Sequence, residues 1–383
     1  MIRSLSLIAV LGLLGGGAHA STVQASDCSS SAVQTAINSA ANGDTVMLPS
    51  SCSTTWNTGV TIPNTKGLTL NGNGAAITRG SLASGVPVIE VDINSSTSTR
   101  VTGFKFSDSQ SSTGYFITVG GGNESSAKFR IDHNTFTGLS MLTHIRVVSP
   151  IYGVIDHNTL TWSSNNEVIH YEAYGPNSTA GWSNAVVPGS ANALYIEDNT
   201  FTNQTSGNPA YFWGGSAVQG YYGARTVVRH NNLTMAQIDM HGTAGMIGAR
   251  WWEIYENTFS TQVANANQDT YIDLRAGSGV VFNNHQIGSN GGGGYVKLRE
   301  EDTGAWPQLY QIGRGQNQTS DPAYVWGNDS SMHVGPSGTV TQGVDFFVSA
   351  KPGYTPYTYP HPMVTGAAQA VTLTPPTGLA VVQ

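Results

Sequence analysis

Five short segments gather ionisable side chains in a chain that has few of them. They are His144-Ile145-Arg146, His170-Tyr171-Glu172, Asp239-Met240-His241, Asp273-Leu274-Arg275 and Lys297-Leu298-Arg299-Glu300-Glu301. Only 10% of residues are charged, against a usual ~25%. In a β-strand, residues i and i+2 share a face. Ile145, Met240, Leu274 and Leu298 then point inward, and the polar residues on either side point outward. Stacked strands would align these pairs into one stripe of His, Asp, Arg, Lys and Glu.

Such a stripe suits an acidic polysaccharide. Arginine and lysine neutralise a uronate carboxylate, which lowers the cost of removing the neighbouring C5 proton. A base then takes that proton while an acid serves the leaving oxygen. The assignment for a β-elimination is His241 or Lys297 as base, with Arg275 and Arg299 holding the carboxylate and the developing charge. His144, Arg146, His170, Glu172, Asp239, Asp273 and Glu301 extend the face as substrate contacts. Tyr171 and Trp213 add rings able to stack on sugars, among further aromatics at Tyr174, Trp182, Tyr211, Tyr221 and Tyr222.

The carboxylates allow other chemistries. Glu172, Asp239, Asp273 and Glu301 could supply the acid and base of a glycoside hydrolase. Asp239, Asp273 and Glu172 could also hold a Ca²⁺ against a substrate carboxylate, although no spacing indicates a metal and no cofactor is required by the scheme. A non-catalytic carbohydrate-binding or surface-structural solenoid would need only the shape and the aromatics. A lyase ranks first, a hydrolase second and the binding solenoid third.

The elements that must position these residues are announced by a repeat. Ile131-Asp132-His133-Asn134-Thr135-Phe136 returns as Ile155-Asp156-His157-Asn158-Thr159-Leu160, Ile196-Glu197-Asp198-Asn199-Thr200-Phe201, Val228-Arg229-His230-Asn231-Asn232-Leu233 and Ile254-Tyr255-Glu256-Asn257-Thr258-Phe259. The asparagines lie 24, 41, 32 and 26 positions apart, one supersecondary unit per repeat with insertions of variable length. Weaker echoes reach Asn71 upstream and Asn284 and Asn328 downstream. The apolar ends of the phrase become a core only when coils stack. The asparagines tolerate a left-handed bend and can bond one another as a ladder. His133, His157 and His230 read as turn residues stacked on one another with rings to solvent.

The repeat, together with the entry Ala36-Ile37 through Gly43-Asp44-Thr45-Val46-Met47-Leu48-Pro49, resembles bacterial right-handed parallel β-helix proteins of the pectin-lyase-like superfamily. The resemblance covers roughly residues 28 to 350. It implies an all-β fold in which one chain winds a right-handed parallel β-helix. It does not imply one activity, because that superfamily holds lyases, hydrolases, esterases, epimerases and phage tailspikes.

The ends of the chain complete the plan. Arg3, the apolar run Leu5 to Leu14 and Ala18-His19-Ala20 read as an export signal over 1–20, hence a secreted or periplasmic protein. Residues 21–365 form the β-helix domain, and 366–383 read as a linker-like tail. Val33, Ala36, Ile37 and Ala40 lie at helical spacing, which predicts a helix over 31–41 capping the first coil. Cys28 and Cys52 flank it, and an exported chain predicts a disulfide between them. The run Tyr354 to Pro362 should pack as an extended segment on the outside or the end of the solenoid. The expected partner is the polysaccharide, met by a monomer without a membrane span. A net charge of −7 argues against nucleic acid.

Overall fold

The structure, a computed structural model, describes residues 20–108, 114–138, 142–163, 167–176, 178–204, 216–242, 247–260, 270–288, 294–300 and 309–366. Nearly all of the expected export signal and of the tail, and Tyr211, Trp213 and Glu301, lie outside the described residues.

The repeated phrase turns the chain at a corner. Its Ile-Asp half ends a strand of one sheet, as in Phe129–Asp132, and its Thr-Phe half begins a strand of another, as in Thr135–Gly138. A third strand, Leu142–Val148, completes the coil before the chain returns at Gly153–Asp156. Among the described residues this builds three sheets of twelve, nine and ten strands, here sheets A, B and C. All strand pairings within them run parallel, each strand beside its counterpart in the next coil. The fold is a parallel β-helix.

Inward residues stack in files through the core. Val101, Ile131, Ile155, Ile196, Val228, Ile254 and Val281 share one register position of sheet A. Phe106, Phe136, Leu160, Phe201, Leu233 and Phe259 do the same in sheet B. All of them are buried. Each such side chain contributes about 1.5–3 kcal/mol on leaving water.

The asparagines form the ladder that the spacing predicts. The side-chain Nδ2 of Asn134, Asn158, Asn199, Asn231, Asn257 and Asn284 each donates to the Oδ1 of the next, at 2.9–3.1 Å, ending on Asn328. Left-handed backbone belongs, however, to the residue before each asparagine. His133, His157, Asp198, His230, Glu256, Asn283 and Gly327 have φ between 51° and 64°. The asparagine is thereby aimed inward, where Asn199, for example, also bonds the carbonyls of Ile155 and Glu197. His133 and His157 stack at 5.1 Å, but His230 stacks on Tyr359 instead, because Asp198 occupies the intervening coil.

Helix α1, Ser30–Ser39, starts one residue early and ends two early against the sequence reading. Ser29 caps it by accepting from the Ala32 N–H. Lys66 reaches over to bond the carbonyls of Ile37, Asn38 and Ala40, which supplies acceptors' partners at the helix end. The helix packs on the first strands of sheets A and C, Thr22–Gln24, Thr45–Met47 and Val60–Ile62. Cys28 and Cys52 beside it are free thiols in the structure, which does not show the expected disulfide. Burial first, then the neighbouring Cys28, pushes the Cys52 thiol up to about 12.

The segment after Lys351 lies across the outside of sheet A. Arg229 donates to the carbonyls of Tyr357 and Thr358, Tyr354 bonds Glu253 at 2.6 Å, and Arg130 donates to the carbonyls of Met363 and Val364. Beneath it Tyr195, Val227, Tyr255 and Phe282 form a second apolar cluster outside the solenoid.

Candidate functional site on the outer face of sheet C

Strand register decides which of the charged pairs meet. Along sheet C, Glu90, Thr118, Arg146, His170, Gln219, Asp239, Asp273, Lys297 and Gly335 occupy one continuous outward row. Two residues on, Glu172 pairs with Tyr221, and the row continues into His241, Arg275 and Arg299. Neighbours in a row are ~4.8 Å apart along the solenoid axis.

At the centre stands Tyr221, 8% exposed. Its ring lies between two histidines, with centroids 4.7 Å from His170 and 4.2 Å from His241. Its hydroxyl donates to Glu167 Oε1 at 2.8 Å and also contacts the Gln219 side-chain oxygen. Burial, then Glu167, raises the phenol far above its ordinary range, so it stays protonated. His170 is held by carboxylates on both ring nitrogens, Glu167 on Nδ1 and Glu172 on Nε2. Burial opposes its charge, but the two carboxylates outweigh burial and raise its pKa. Glu172 is lowered in turn, since His170 and Arg146 outweigh its own burial.

His241 is the opposite case. Burial, followed by Arg275, His170 and Arg299, lowers its pKa to about 3, leaving the ring neutral. Its Nδ1 is buried without a hydrogen-bond partner. The two guanidiniums are each gripped by a carboxylate on the preceding strand. Arg275 bonds Asp239 through Nε at 3.0 Å and Nη2 at 2.5 Å, and Arg299 bonds Asp273 at 2.9 and 2.8 Å. Asp239 is raised by burial against the pull of Arg275, with Asp273 adding to the rise. Lys297 sits in register between Asp273 and Gly335, two strands from His241. Arg146 bonds Glu172 at 3.2 Å and lies over the Tyr115 ring.

Two of the sequence-derived contacts are not on this face. His144 is 0% exposed, stacked on Phe136 and tilted against Phe116 in the core, with both ring nitrogens unbonded. Burial lowers its pKa to about 3. The cause is a bend where the chain enters sheet C. Two successive residues point inward there, as in Phe116-Ile117, His144-Ile145, Val168-Ile169 and Tyr271-Ile272. The backbone N–H groups of His144 and Ile145 share one acceptor, the Val168 carbonyl. Alternation fails across such a bend. Gly138 leaves the room, since a Cβ there would stand 2.6 Å from His144 Nε2. Tyr171 is also buried, at 1%, because it alternates with the outward His170 and Glu172; its hydroxyl bonds the Ile151 carbonyl. Trp182 is likewise structural, buried edge-on against Tyr310.

Glu167 and Gln219 escaped the sequence reading. Glu167 precedes the strand Ile169–Glu172, outside the i, i+2 pattern, and Gln219 carries no charge. Among the described residues no group of three or more His, Cys, Asp or Glu side chains is arranged as a metal site.

No protein-family profile matches the chain, nor does any curated protein. Among solved structures it is similar to an alginate lyase from Paenibacillus sp. str. FPU-7, at 16% identity and a TM-score of 0.41, covering 88% of this chain and 97% of that one. Likeness at that distance carries no argument about chemistry, which rests on the residues themselves.

Proposed function

We propose that the outer face of sheet C is the active surface of an exported polysaccharide lyase that cleaves a uronate-containing chain by β-elimination. The observation that carries this reading is the His170–Tyr221–His241 stack set beside Arg275 and Arg299. A neutral imidazole, a protonated phenol and two oriented guanidiniums are the three parts that the reaction needs.

In the proposed step His241 takes the C5 proton. The electron pair of that C–H bond becomes the C4=C5 double bond as the C4–O bond breaks, and Tyr221 gives its proton to the departing oxygen. Arg275 and Arg299 hold the carboxylate and the negative charge that spreads into it. Asp239 and Asp273 fix their orientation. A carboxylate arriving between the guanidiniums screens their charge from His241 and so makes it a stronger base. Lys297, two strands away, takes a neighbouring carboxylate. The hydrolase reading is disfavoured because Asp239 and Asp273, its natural pair, are each engaged by an arginine. Export suits a polymeric substrate; no helix among the described residues is long and apolar enough to cross a membrane.

The test is to incubate the protein with a panel of uronate polysaccharides, with and without Ca²⁺, following ultraviolet absorbance and reducing ends together. New ends that carry the absorbance of an unsaturated uronate support the lyase. New ends without it make the protein a hydrolase and move the chemistry to the carboxylates.

A further inference from the structure

A second concentration of charge lies away from sheet C, at the edge where coils pass from sheet C to sheet A. A cavity of about 270 Å³ opens there between the turn before the strand Trp251–Tyr255, the insertion at Ala185 to Pro188, and Lys351. Arg250 lines it with a side chain only 3% exposed. Its Nε and Nη1 are buried without partners, and Nη2 has one long contact, 3.4 Å to Asp321. Lys351 Nζ faces the same carboxylate at 3.7 Å. Two cations therefore share a single carboxylate, their remaining partners being aromatic faces, Trp182 for Arg250 and Trp251 and Tyr324 for Lys351. A buried cation short of acceptors is costly, and a bound anion removes that cost.

The walls narrow the choice of anion. Trp251, Val186 and Pro188 are apolar, whereas Gln316, Thr319 and Ser320 offer hydrogen bonds. The volume sits just below the ~300–1,000 Å³ of ordinary ligand pockets, room for one ring. We infer that this cavity is a binding site for a monocarboxylate the size of a single sugar ring, its carboxylate between Arg250 and Lys351 and its hydroxyls on the polar wall. The ligand is either a free sugar acid or the terminal residue of a chain.

Calorimetric titration of the full chain separates these possibilities. The probes are glucuronate, methyl glucoside as the uncharged control, and an oligouronate. Saturable binding of glucuronate but not of methyl glucoside is expected, weakened at least tenfold in Lys351→Gln and tightened in Asp321→Asn, which removes the competing carboxylate. Comparable binding of the oligouronate, with the same loss in Lys351→Gln, identifies the terminal residue as a ligand; its exclusion identifies the free acid. Absence of glucuronate binding, or binding indifferent to Lys351→Gln, overturns the proposal. Arg250→Met should abolish binding, and the partly exposed Lys351 keeps the test valid if that variant does not fold. Glucuronate has no glycosidic bond to eliminate, so failure here is distinct from failure of the lyase reading.

Discussion

Sheets A and C carry the same device on their outer faces and put it to different uses. On sheet A, Arg100 grips Asp132, Arg130 grips Asp156 and Arg229 grips Glu197, always across adjacent strands. On sheet C, Arg146 grips Glu172, Arg275 grips Asp239 and Arg299 grips Asp273 in the same way. The segment after Lys351 covers the sheet A rows, so that Asp156, Glu197 and Arg229 have no exposed surface. A row of cross-strand ion pairs is thus a structural habit of this solenoid. Histidine–tyrosine contacts occur on sheet A as well, but there they are made with the covering segment, His230 on Tyr359 and His361 against Tyr195 and Tyr357, whereas the His170–Tyr221–His241 stack of sheet C is built from the strands of the sheet and its own coils.

If that difference is functional, variants on the two faces should fail differently. The largest effect is expected from His241→Gln, a loss of about 10²–10⁴-fold in turnover with substrate binding and melting temperature little changed. A parallel loss of binding would make the stack a recognition element. Arg229→Met on sheet A should do the reverse. It strands the buried Glu197 carboxylate, costing about 3–5 kcal/mol of stability, while each folded molecule turns over normally; urea unfolding alongside kinetics checks both halves.

A third variant probes the core between the faces. His144 is held at about 3 by burial, against ~6.5 in the unfolded chain. The unfolded state binds the proton first as pH falls below ~6.5, so the native state loses about 1.4 kcal/mol per pH unit down to that value. His241 and His361, each also lowered to about 3, add to this. His144→Leu should therefore gain on the parent by about 2 kcal/mol between pH 6.5 and 4.5, and an equal stability difference at both pH values would contradict the assignment. The smallest effect belongs to His133→Ala. Its ring is 57% exposed beside Asp132, a surface pair worth under about 1 kcal/mol, so a larger shift in melting temperature would mean that the corner stack is more than decoration.

These faces were unequally readable in the sequence. The solenoid was plain because its Ile, Asn and Phe positions recur at corners that every coil must turn, and the inward files follow directly. The charged stripe of sheet C was readable where alternation holds, at His170, Glu172, Asp239 and Asp273. It misled at His144, where the bend turns two successive residues inward, and at Tyr171, whose polar hydroxyl concealed an inward position. The charges of sheet A stand in plain view inside the repeat, at Asp132, Asp156, Glu197 and Arg229, yet the repeat by itself assigns them no role. Their burial depends on a segment some 130 residues later than Arg229, a contact that no local pattern encodes. Tyr221 was noticed only as one aromatic among several, because its neighbours in space, Glu167 and His241, are 54 and 20 residues away.

The most direct test of the comparison is one time course of ultraviolet absorbance on a uronate polysaccharide that the parent cleaves, for the parent, Tyr221→Phe and Arg229→Met at equal folded concentration. The parent and Arg229→Met should generate unsaturated ends at the same rate, and Tyr221→Phe should generate almost none. Full activity in Tyr221→Phe, at an unchanged melting temperature, would contradict the assignment of the chemistry to the stacked face of sheet C.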